Sequence, residues 1–318
     1  MRDKIVVVTG GTGSFGKAFI QECLTKDPKQ IRVFSRDELK QAQLKDEIND
    51  RRVEWLLGDV RDAERLITAL EGVDICVHAA AMKRIEKCEK DPLEAIKTNV
   101  IGSQNVALAC LKNNVKNAIL ISTDKAVYPI NLYGATKLTA EKVWVQSNVY
   151  RGLNHPTRFS VVRYGNVLGS RGSVLHLFKD QLEKGILKVT DARMTRFFIT
   201  LQEAVDLVQL ALEFMQGGET FIPNLKAASI YHLAQLVAGD VPVEITNQRG
   251  GEKLHESLIT KEEKNRLASY ENFSVINPEI TTWPYTPWTS EFRNFVESSE
   301  TATQYTDAEL QRLLATVI

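Results

Sequence analysis

The sequence predicts an α/β fold, a Rossmann-like doubly wound parallel sheet followed by a smaller C-terminal substrate-binding lobe. Short apolar runs alternate with helical stretches, a glycine-rich turn stands directly after the first run, and the alternation loosens into glycine-bearing loops beyond Gly165. Parallel strands covered by helices on both faces read as continuous apolar runs, which is the pattern of the first half of the chain.

The runs fall in order at Ile5 to Val8, Ile31 to Phe34, Val53 to Leu57, Ile75 to Ala80, Ala118 to Ile121 and Phe159 to Val162. Between the fourth and fifth, Pro92 suits the first turn of a helix whose apolar positions continue through Ala95, Ile96, Val100, Val106 and Leu111, because a missing N–H does no harm there. Residues 1–165 are expected to form the dinucleotide-binding domain, with 195–216 packing back onto it. Residues 166–318 are expected to form the lobe over the sheet's carboxyl edge, where open α/β sheets bind ligands. A polar stretch from Ser298 then leads to an amphipathic tail helix, Ala308 to Val317.

Composition narrows the partner. The 318 residues, 43% of them hydrophobic, are enough for a sizeable core. Lys plus Arg and Asp plus Glu each total 40, so no basic excess points to nucleic acid or an anionic membrane. No apolar run approaches the roughly 20 residues that cross a bilayer, and the start, Met1-Arg2-Asp3-Lys4-Ile5, is too soon acidic for a secretory signal. Cys23, Cys76, Cys88 and Cys110 lie far apart without C-x-x-C spacing, which argues against a disulfide framework or zinc site and fits a reducing cytoplasm. The histidines fit no metal spacing, and His78, after an apolar strand, reads as a core residue. A small molecule is the expected ligand.

Gly10, Gly13 and Gly16, interleaved with Ser14 and Phe15, follow the Val6-Val7-Val8 strand and open a helix. Bare amides and the helix dipole at such a turn hold a pyrophosphate without a cationic side chain. About twenty residues on, an acidic residue at the end of the second strand takes the ribose hydroxyls in NAD sites. Here the strand ends Phe34-Ser35-Arg36-Asp37. Ser35 and Arg36 can hold a 2′-phosphate, which favours NADP, while Asp37 keeps NAD open. Asp59 and Val60 would flank the adenine, and Ala79 and Ala80 leave room for the cofactor backbone.

Tyr133 and Lys137 stand at i and i+4, on one helix face. A nearby ammonium favours the phenolate, so the Tyr can take a substrate hydroxyl proton while hydride leaves. Thr123 can share a hydrogen bond with the same hydroxyl. The adjoining Asp124-Lys125 is more than hydride transfer needs and points to a second reaction in the same pocket.

T-G-G-T-G-S-F-G at 9–16, the Y-x-x-x-K pair and the inferred strand order resemble the extended short-chain dehydrogenases/reductases. The chain is most similar to the inverting UDP-N-acetylglucosamine 4,6-dehydratases, through F-S-R-D-E (34–38), E-A-I-K-T-N-V (94–100), S-T-D-K-A (122–126), N-L-Y-G-A-T-K (131–137), V-R-Y-G-N-V (162–167), G-S-R-G-S-V (169–174), M-T-R-F (194–197) and G-E-K-L-H-E (251–256). The resemblance spans about residues 1–275. It implies oxidation at sugar C4, loss of water across C5 and C6, and return of hydride to C6. Within it Lys125 is the base at C5, reprotonating that carbon from the opposite face, and Asp124 is the acid on the C6 hydroxyl. Such a base must be uncharged when it acts, which burial or a neighbouring cation, with Lys83 as candidate, can arrange.

The resemblance further implies cofactor contacts from Lys83 and Asn99, and a UDP-sugar held by Lys83, Arg171, Arg196, Arg249 and Lys253 with Asn166 and Glu252 as orienting groups. It implies no metal and a homo-oligomer, a dimer or hexamer. Departures from the family pattern fall at Met82, Gly250, the stretch Arg84 to Cys88, and the tail beyond Pro278, including Trp283-Pro284 and Pro287-Trp288. Two other readings compete: a UDP-sugar 4-epimerase, which needs no C5 base at position 125, and a non-catalytic NADP-sensing protein, which would not keep Thr123, Tyr133 and Lys137 together.

Overall fold

The structure, a computed structural model, describes residues 1–151, 155–247, 250–290 and 295–315. Its strands are β1 (Ile5–Thr9), β2 (Gln30–Ser35), β3 (Val53–Leu57), β4 (Ile75–His78), β5 (Asn117–Thr123), β6 (Arg158–Tyr164), β7 (Asn166–Val167), β8 (Leu187–Val189), β9 (Thr195–Ile199), β10 (Thr220–Pro223), β11 (Ala227–Ser229), β12 (Val243–Ile245), β13 (Leu267–Ser269) and β14 (Phe273–Ile276). Its helices are α1 (Ser14–Leu24), α2 (Glu38–Ile48), α3 (Ala63–Ala69), α4 (Ile85–Lys90), α5 (Pro92–Ile96), α6 (Gly102–Lys112), α7 (Leu132–Gln146), α8 (Val174–Leu182), α9 (Leu201–Phe214), α10 (Ile230–Ala238) and α11 (Asp307–Ala315).

Nine strands form one sheet in the order β13-β14-β10-β6-β5-β4-β1-β2-β3. The seven from β3 to β10 are parallel, and β14 and β13 close the far edge antiparallel. Both faces are buried. Val6, Val8, Ile31, Val33 and Ile119 pack with Phe19 and Ile20 of α1 and Val205 and Val208 of α9. Val7, Cys76, Ala118 and Leu120 pack with Leu66 of α3, Val106 and Cys110 of α6 and Trp144 of α7. Alternate β1 residues thus face opposite layers, each layer being apolar, which is why the strand shows no polar alternation.

The sheet does not end where the sequence pattern changes. Strands β10, β13 and β14, all beyond residue 165, extend it, because their short runs are separated by loops too irregular to read as βαβ units. A separate core of Leu168, Leu175, Phe178, Phe198, Leu233, Leu310 and Leu314 marks the smaller lobe. The divergent tail is anchored to the large sheet, with Trp288 set edge-on against Phe221 and Phe273 and Trp283 Nε1 donating to the Gly217 carbonyl at 2.8 Å.

The segment around Pro92 is one helical course interrupted by a π turn at Lys97–Ile101. Such turns recur at functional sites, and this one points Asn99 inward. Asn99 Oδ1 accepts from Met82 N at 2.7 Å, and its Nδ2 donates to the Met82 carbonyl and Thr136 Oγ1. His78 is a core residue, with Nδ1 2.6 Å from Thr9 Oγ1, Nε2 3.0 Å from Ser103 Oγ, and its ring stacked on Trp144. Burial pushes its pKa down to about 3, so the imidazole is neutral at working pH.

One buried cation ties these layers together. Arg163, on β6, is 2% exposed and forms a fork on Glu141 of α7 at 3.1 and 2.6 Å and another on Glu263 at 2.9 Å, while Nη1 also reaches the Leu258 carbonyl. Removing one side of a buried ion cluster strands the other side's charge. Arg163→Ala, which leaves two buried carboxylates without their cation, is expected to lower unfolding free energy by about 3–5 kcal/mol, read by urea denaturation with an unchanged m value.

Candidate active site

The site is assembled at the carboxyl edge of the parallel strands. Thr9 pairs with Phe34 and His78, and His78 with Leu120. Strands β5 and β6 run on past this line to the Thr123–Tyr164 pair, and β10 beside them runs on to Pro223. That overhang lifts Thr123, Asp124 and Lys125 clear of the ends of β1 and β4, where a 3₁₀ turn at Asp124–Ala126 halts the chain.

Helix α7 presses on this turn. Asn131 caps it, accepting from Gly134 N at 2.8 Å, and its Nδ2 donates to the Gly251 carbonyl at 2.8 Å, tying in the 250–254 loop. A side chain at Gly134 would place Cβ 2.1 Å from the Lys125 carbonyl oxygen, so only glycine lets Tyr133 and the turn approach this closely. Tyr133 is buried and hydrogen bonds with Thr123.

Lys125 is the hub. Its Nζ donates to Asp124 Oδ1 and Asn166 Oδ1, each at 3.0 Å, and lies 3.5 Å from Glu256 Oε1, while 19% of the side chain stays exposed. Glu256, which sequence reasoning did not single out, is 2% exposed and also takes Lys253 Nζ at 3.1 Å. Its signal lay in the G-E-K-L-H-E run, where an acidic residue closes a basic loop.

The charges differ from the sequence expectation. Burial alone would lower the Lys125 pKa, but Asp124 and Glu256 outweigh it and raise it; the resting amine is an ammonium. The cation nearest in effect is Arg196, and Lys83 is instead engaged with the Arg171 carbonyl at 3.0 Å. Asp124 moves the other way from an exposed carboxylate: complete burial raises it, Lys125 opposes and Glu256 adds to the rise. Glu256, pulled up by burial, is brought down by Lys125, Lys253 and Arg196. Burial pushes Tyr133 up to about 12, with Lys125 rather than Lys137 as the opposing cation. Lys137 is lowered by burial to about 8 and donates to the Ile121 carbonyl at 2.7 Å.

The glycine turn lies beside this cluster. Gly10 has φ +68°, and a Cβ there would meet Ala80 Cα at 2.7 Å, so β1 and β4 close against each other as the pyrophosphate turn requires. Gly13 caps α1 with no side-chain hydrogen bond, leaving the helix amides bare for an anion. Phe15 stacks on Phe19 5.7 Å away. Ser14 Oγ accepts from Arg171 N at 3.0 Å, which straps the Gly169–Gly172 loop across the turn. At the second strand's end Gln41 Nε2 donates to Ser35 Oγ, Arg36 faces Asp59 at 3.7 Å, and Asp37 caps α2 through Lys40 N. Asp59 also receives Arg61, and Val60 is core-buried against Gly102. The cradle fits a dinucleotide.

Three expected ligands have other work. Asn99 is bound up in bracing residue 82 and α7. Arg196 is buried and donates to the carbonyls of Thr195, Lys253 and Leu254, because strand β9 holds it beneath the loop it was expected to reach from. Lys253 turns inward to the Val127 carbonyl and Glu256. Glu252 lies half-buried in the same loop, and Arg249 lies outside the described residues. Arg171 keeps an exposed side chain at the strap.

A doubly wound sheet with a bare glycine turn and a buried Tyr and Lys at its carboxyl edge defines an extended short-chain dehydrogenase/reductase. The chain belongs to the family described as polysaccharide biosynthesis protein, whose model matches residues 6–278. It is 47% identical over 280 residues to a UDP-N-acetylglucosamine 4,6-dehydratase (inverting) of Campylobacter jejuni, covering 87% of this chain and 84% of that one. It is 40% identical over 280 residues to a UDP-glucose 4-epimerase of Rickettsia bellii, covering 85% and 82%. Among solved structures it superposes on Pen from Bacillus thuringiensis with a TM-score of 0.91 at 35% identity, over 99% of both chains.

Gly134→Ala, whose Cβ would meet the Lys125 carbonyl, is expected to push α7 off the turn, lowering stability by about 1–3 kcal/mol and turnover about a hundredfold, the effect of misplacing a reacting group by an ångström. Parallel measurement of kcat and of urea denaturation checks it.

Proposed function

We propose that the protein is a 4,6-dehydratase that converts UDP-N-acetylglucosamine to a UDP-4-keto-6-deoxy hexosamine with C5 inverted, using NADP. The observation that carries the reading is the 3.0 Å contact between Lys125 Nζ and Asp124 Oδ1 beside Tyr133. The identity with the inverting dehydratase supports it. Residues 1–165 serve the dinucleotide and 166–318 the UDP-sugar, with Arg171 and Lys83 toward the phosphates.

NADP, held at the Gly10–Gly16 turn with Ser35 and Arg36, would supply the hydride chemistry that links C4 and C6. Tyr133, steadied by Thr123, takes the C4 hydroxyl proton as its phenolate, the form that the Lys125 ammonium favours. The resulting ketone makes the C5 hydrogen acidic, and elimination then needs a base at C5 and an acid at the C6 hydroxyl together. One proton shift along the Lys125–Asp124 hydrogen bond supplies both, an amine and a carboxylic acid, without changing the net charge of the site. Desolvation by a seated sugar favours that neutral pair, and the raised pKa of Asp124 runs the same way. Lys125 takes the C5 proton, Asp124 gives its proton to the departing hydroxyl, and after hydride has reached C6 the Lys125 ammonium returns a proton to C5 from the opposite face, inverting it.

NADP is favoured over NAD because Asp37 is occupied as a helix cap while Arg36 remains 53% exposed at the strand end. The exposed apolar row Leu93, Ile96, Ile101 and Leu108 supports a homo-oligomer. Among the described residues no helix is long and apolar enough to cross a membrane, and we place the enzyme in the cytoplasm with its nucleotide-sugar substrate. The Rickettsia relative favours a second reading, a UDP-sugar 4-epimerase. That reaction has no use for a base and an acid beyond Tyr133.

Incubation with UDP-N-acetylglucosamine in deuterated water, followed by NMR, is expected to give a 4-keto sugar with deuterium at an inverted C5 and a methyl group at C6; a 4-hydroxy sugar with no exchange at C5 would establish the epimerase. Lys125→Ala should give slower transient reduced-nicotinamide absorbance, since the cation that favours the Tyr133 phenolate is gone, and no loss of water. Arg36→Ala should weaken NADP about tenfold to a hundredfold, the worth of one charged hydrogen bond, and leave NAD affinity unchanged in titration.

A further inference from the structure

We propose that Glu256 is a positioning residue for the Lys125 amine, and that the C-terminal segment 297–302 holds it in place. The inference rests on the reading that Lys125 takes the C5 proton. Glu256 reaches Lys125 Nζ with one oxygen at 3.5 Å and Lys253 Nζ with the other at 3.1 Å, so both carboxylate oxygens are committed to cations inside the protein.

Its backbone is clamped on both sides by the tail. Glu256 N donates to Ser299 Oγ and its carbonyl accepts from Ser299 N, both at 2.9 Å. Ser257 bridges Ser298, and Leu258 N donates to the Glu297 carbonyl at 3.1 Å. Ser299 is fully buried, with Oγ 2.8 Å from Thr195 Oγ1, which in turn meets His255 Nδ1 at 2.8 Å. The family model stops at residue 278, so this clamp comes from chain beyond the matched domain. The Ser299 hydroxyl, which also reaches the Thr195 carbonyl at 3.2 Å, thereby ties the Glu256 amide to β9 and fixes the direction of that glutamate.

The direction matters because Lys125 becomes an ammonium as it accepts the proton. A fixed carboxylate behind the base stabilises that cation, as the buried Asp does behind the imidazole of a catalytic triad. The groups facing Lys125 are Asp124 on its own turn, Glu256 on the clamped segment, Arg196 on β9 and Tyr133 on α7. Those facing Glu256 are Lys125, Lys253, Arg196 and Asp124. Glu256 is the group that shifts Lys125 toward a stronger base without itself meeting the C6 hydroxyl, the task given to Asp124.

The test is the pH dependence of the dehydration kcat for the parent, Glu256→Gln, Glu256→Asp and Ser299→Ala, with Lys125→Ala alongside. Activity falls at high pH as the Lys125–Asp124 pair loses the one proton it shares. Removing a neighbouring negative charge weakens the ammonium, so in Glu256→Gln this falling limb is expected to move to lower pH by about 1–3 units, with a plateau on the order of tenfold lower from the weaker base. Glu256→Asp should restore much of both, and Ser299→Ala should shift the limb the same way by less. NADP binding should stay near the parent's, while the melting temperature falls in Glu256→Gln, which leaves Lys125 and Lys253 short of a carboxylate. A Glu256→Gln limb that stays put or moves up overturns this inference alone when Lys125→Ala eliminates no water; normal elimination by Lys125→Ala overturns the reading beneath it. If Glu256→Gln does not fold, an unmoved limb in both remaining variants is equally decisive against the proposal.

Discussion

An amine lifted off the end of β5 and drawn out of water between two carboxylates is the constraint around which this molecule is arranged. Burying one charge alone is prohibitive, and burying a compensated cluster is tolerable only when each member is fixed. Lys125 is therefore met from its own turn by Asp124, from β7 by Asn166 and from the clamped loop by Glu256. The last two come from beyond residue 165, so the charge balance of the site is completed only when the lobe closes on the sheet.

The same need for compensation explains Arg163. It lies beneath the site, on the strand next to β5, and forks onto Glu141 in the helix that carries Tyr133 and Lys137. Its second fork, on Glu263, holds the segment just past Glu256. A guanidinium suits this place because its planar donors fix two carboxylates at once. Both ionic centres thus draw on the stretch from Glu256 to Glu263, one buried for rigidity and one half-open for chemistry.

Much of this was legible in the chain. The continuous apolar runs place β1 to β6 because strands covered on both sides have no polar positions, and the Gly10 turn and Tyr133–Lys137 pair are local patterns whose meaning is set within a few residues. What was not legible depends on distance through space. The sign of the Lys125 shift follows from Asp124 together with Glu256, and only folding brings Glu256 to it. Arg196 and Asn99 look like ligands as residue types, yet strand β9 and a π turn direct them to backbone carbonyls. Strands β10, β13 and β14 are too short and too separated in sequence to declare that they join the sheet.

The separation of the two acid–base systems follows from these positions. Tyr133 is raised to about 12 by burial, and Lys125, not Lys137, is the cation that opposes the rise. The charge of Lys125 therefore bears on both reactions. In the proposed reaction it favours, as an ammonium, the phenolate that oxidation requires, and serves, as an amine, as the base for elimination. The two demands fall in sequence, since the C5 hydrogen becomes acidic only after C4 is a ketone. A lysine held as an ammonium at rest, with an acidic neighbour 3.0 Å away able to take its proton, meets both demands in that order. A lysine kept neutral from the outset by a nearby cation, the arrangement expected from sequence, would serve the second reaction and weaken the first.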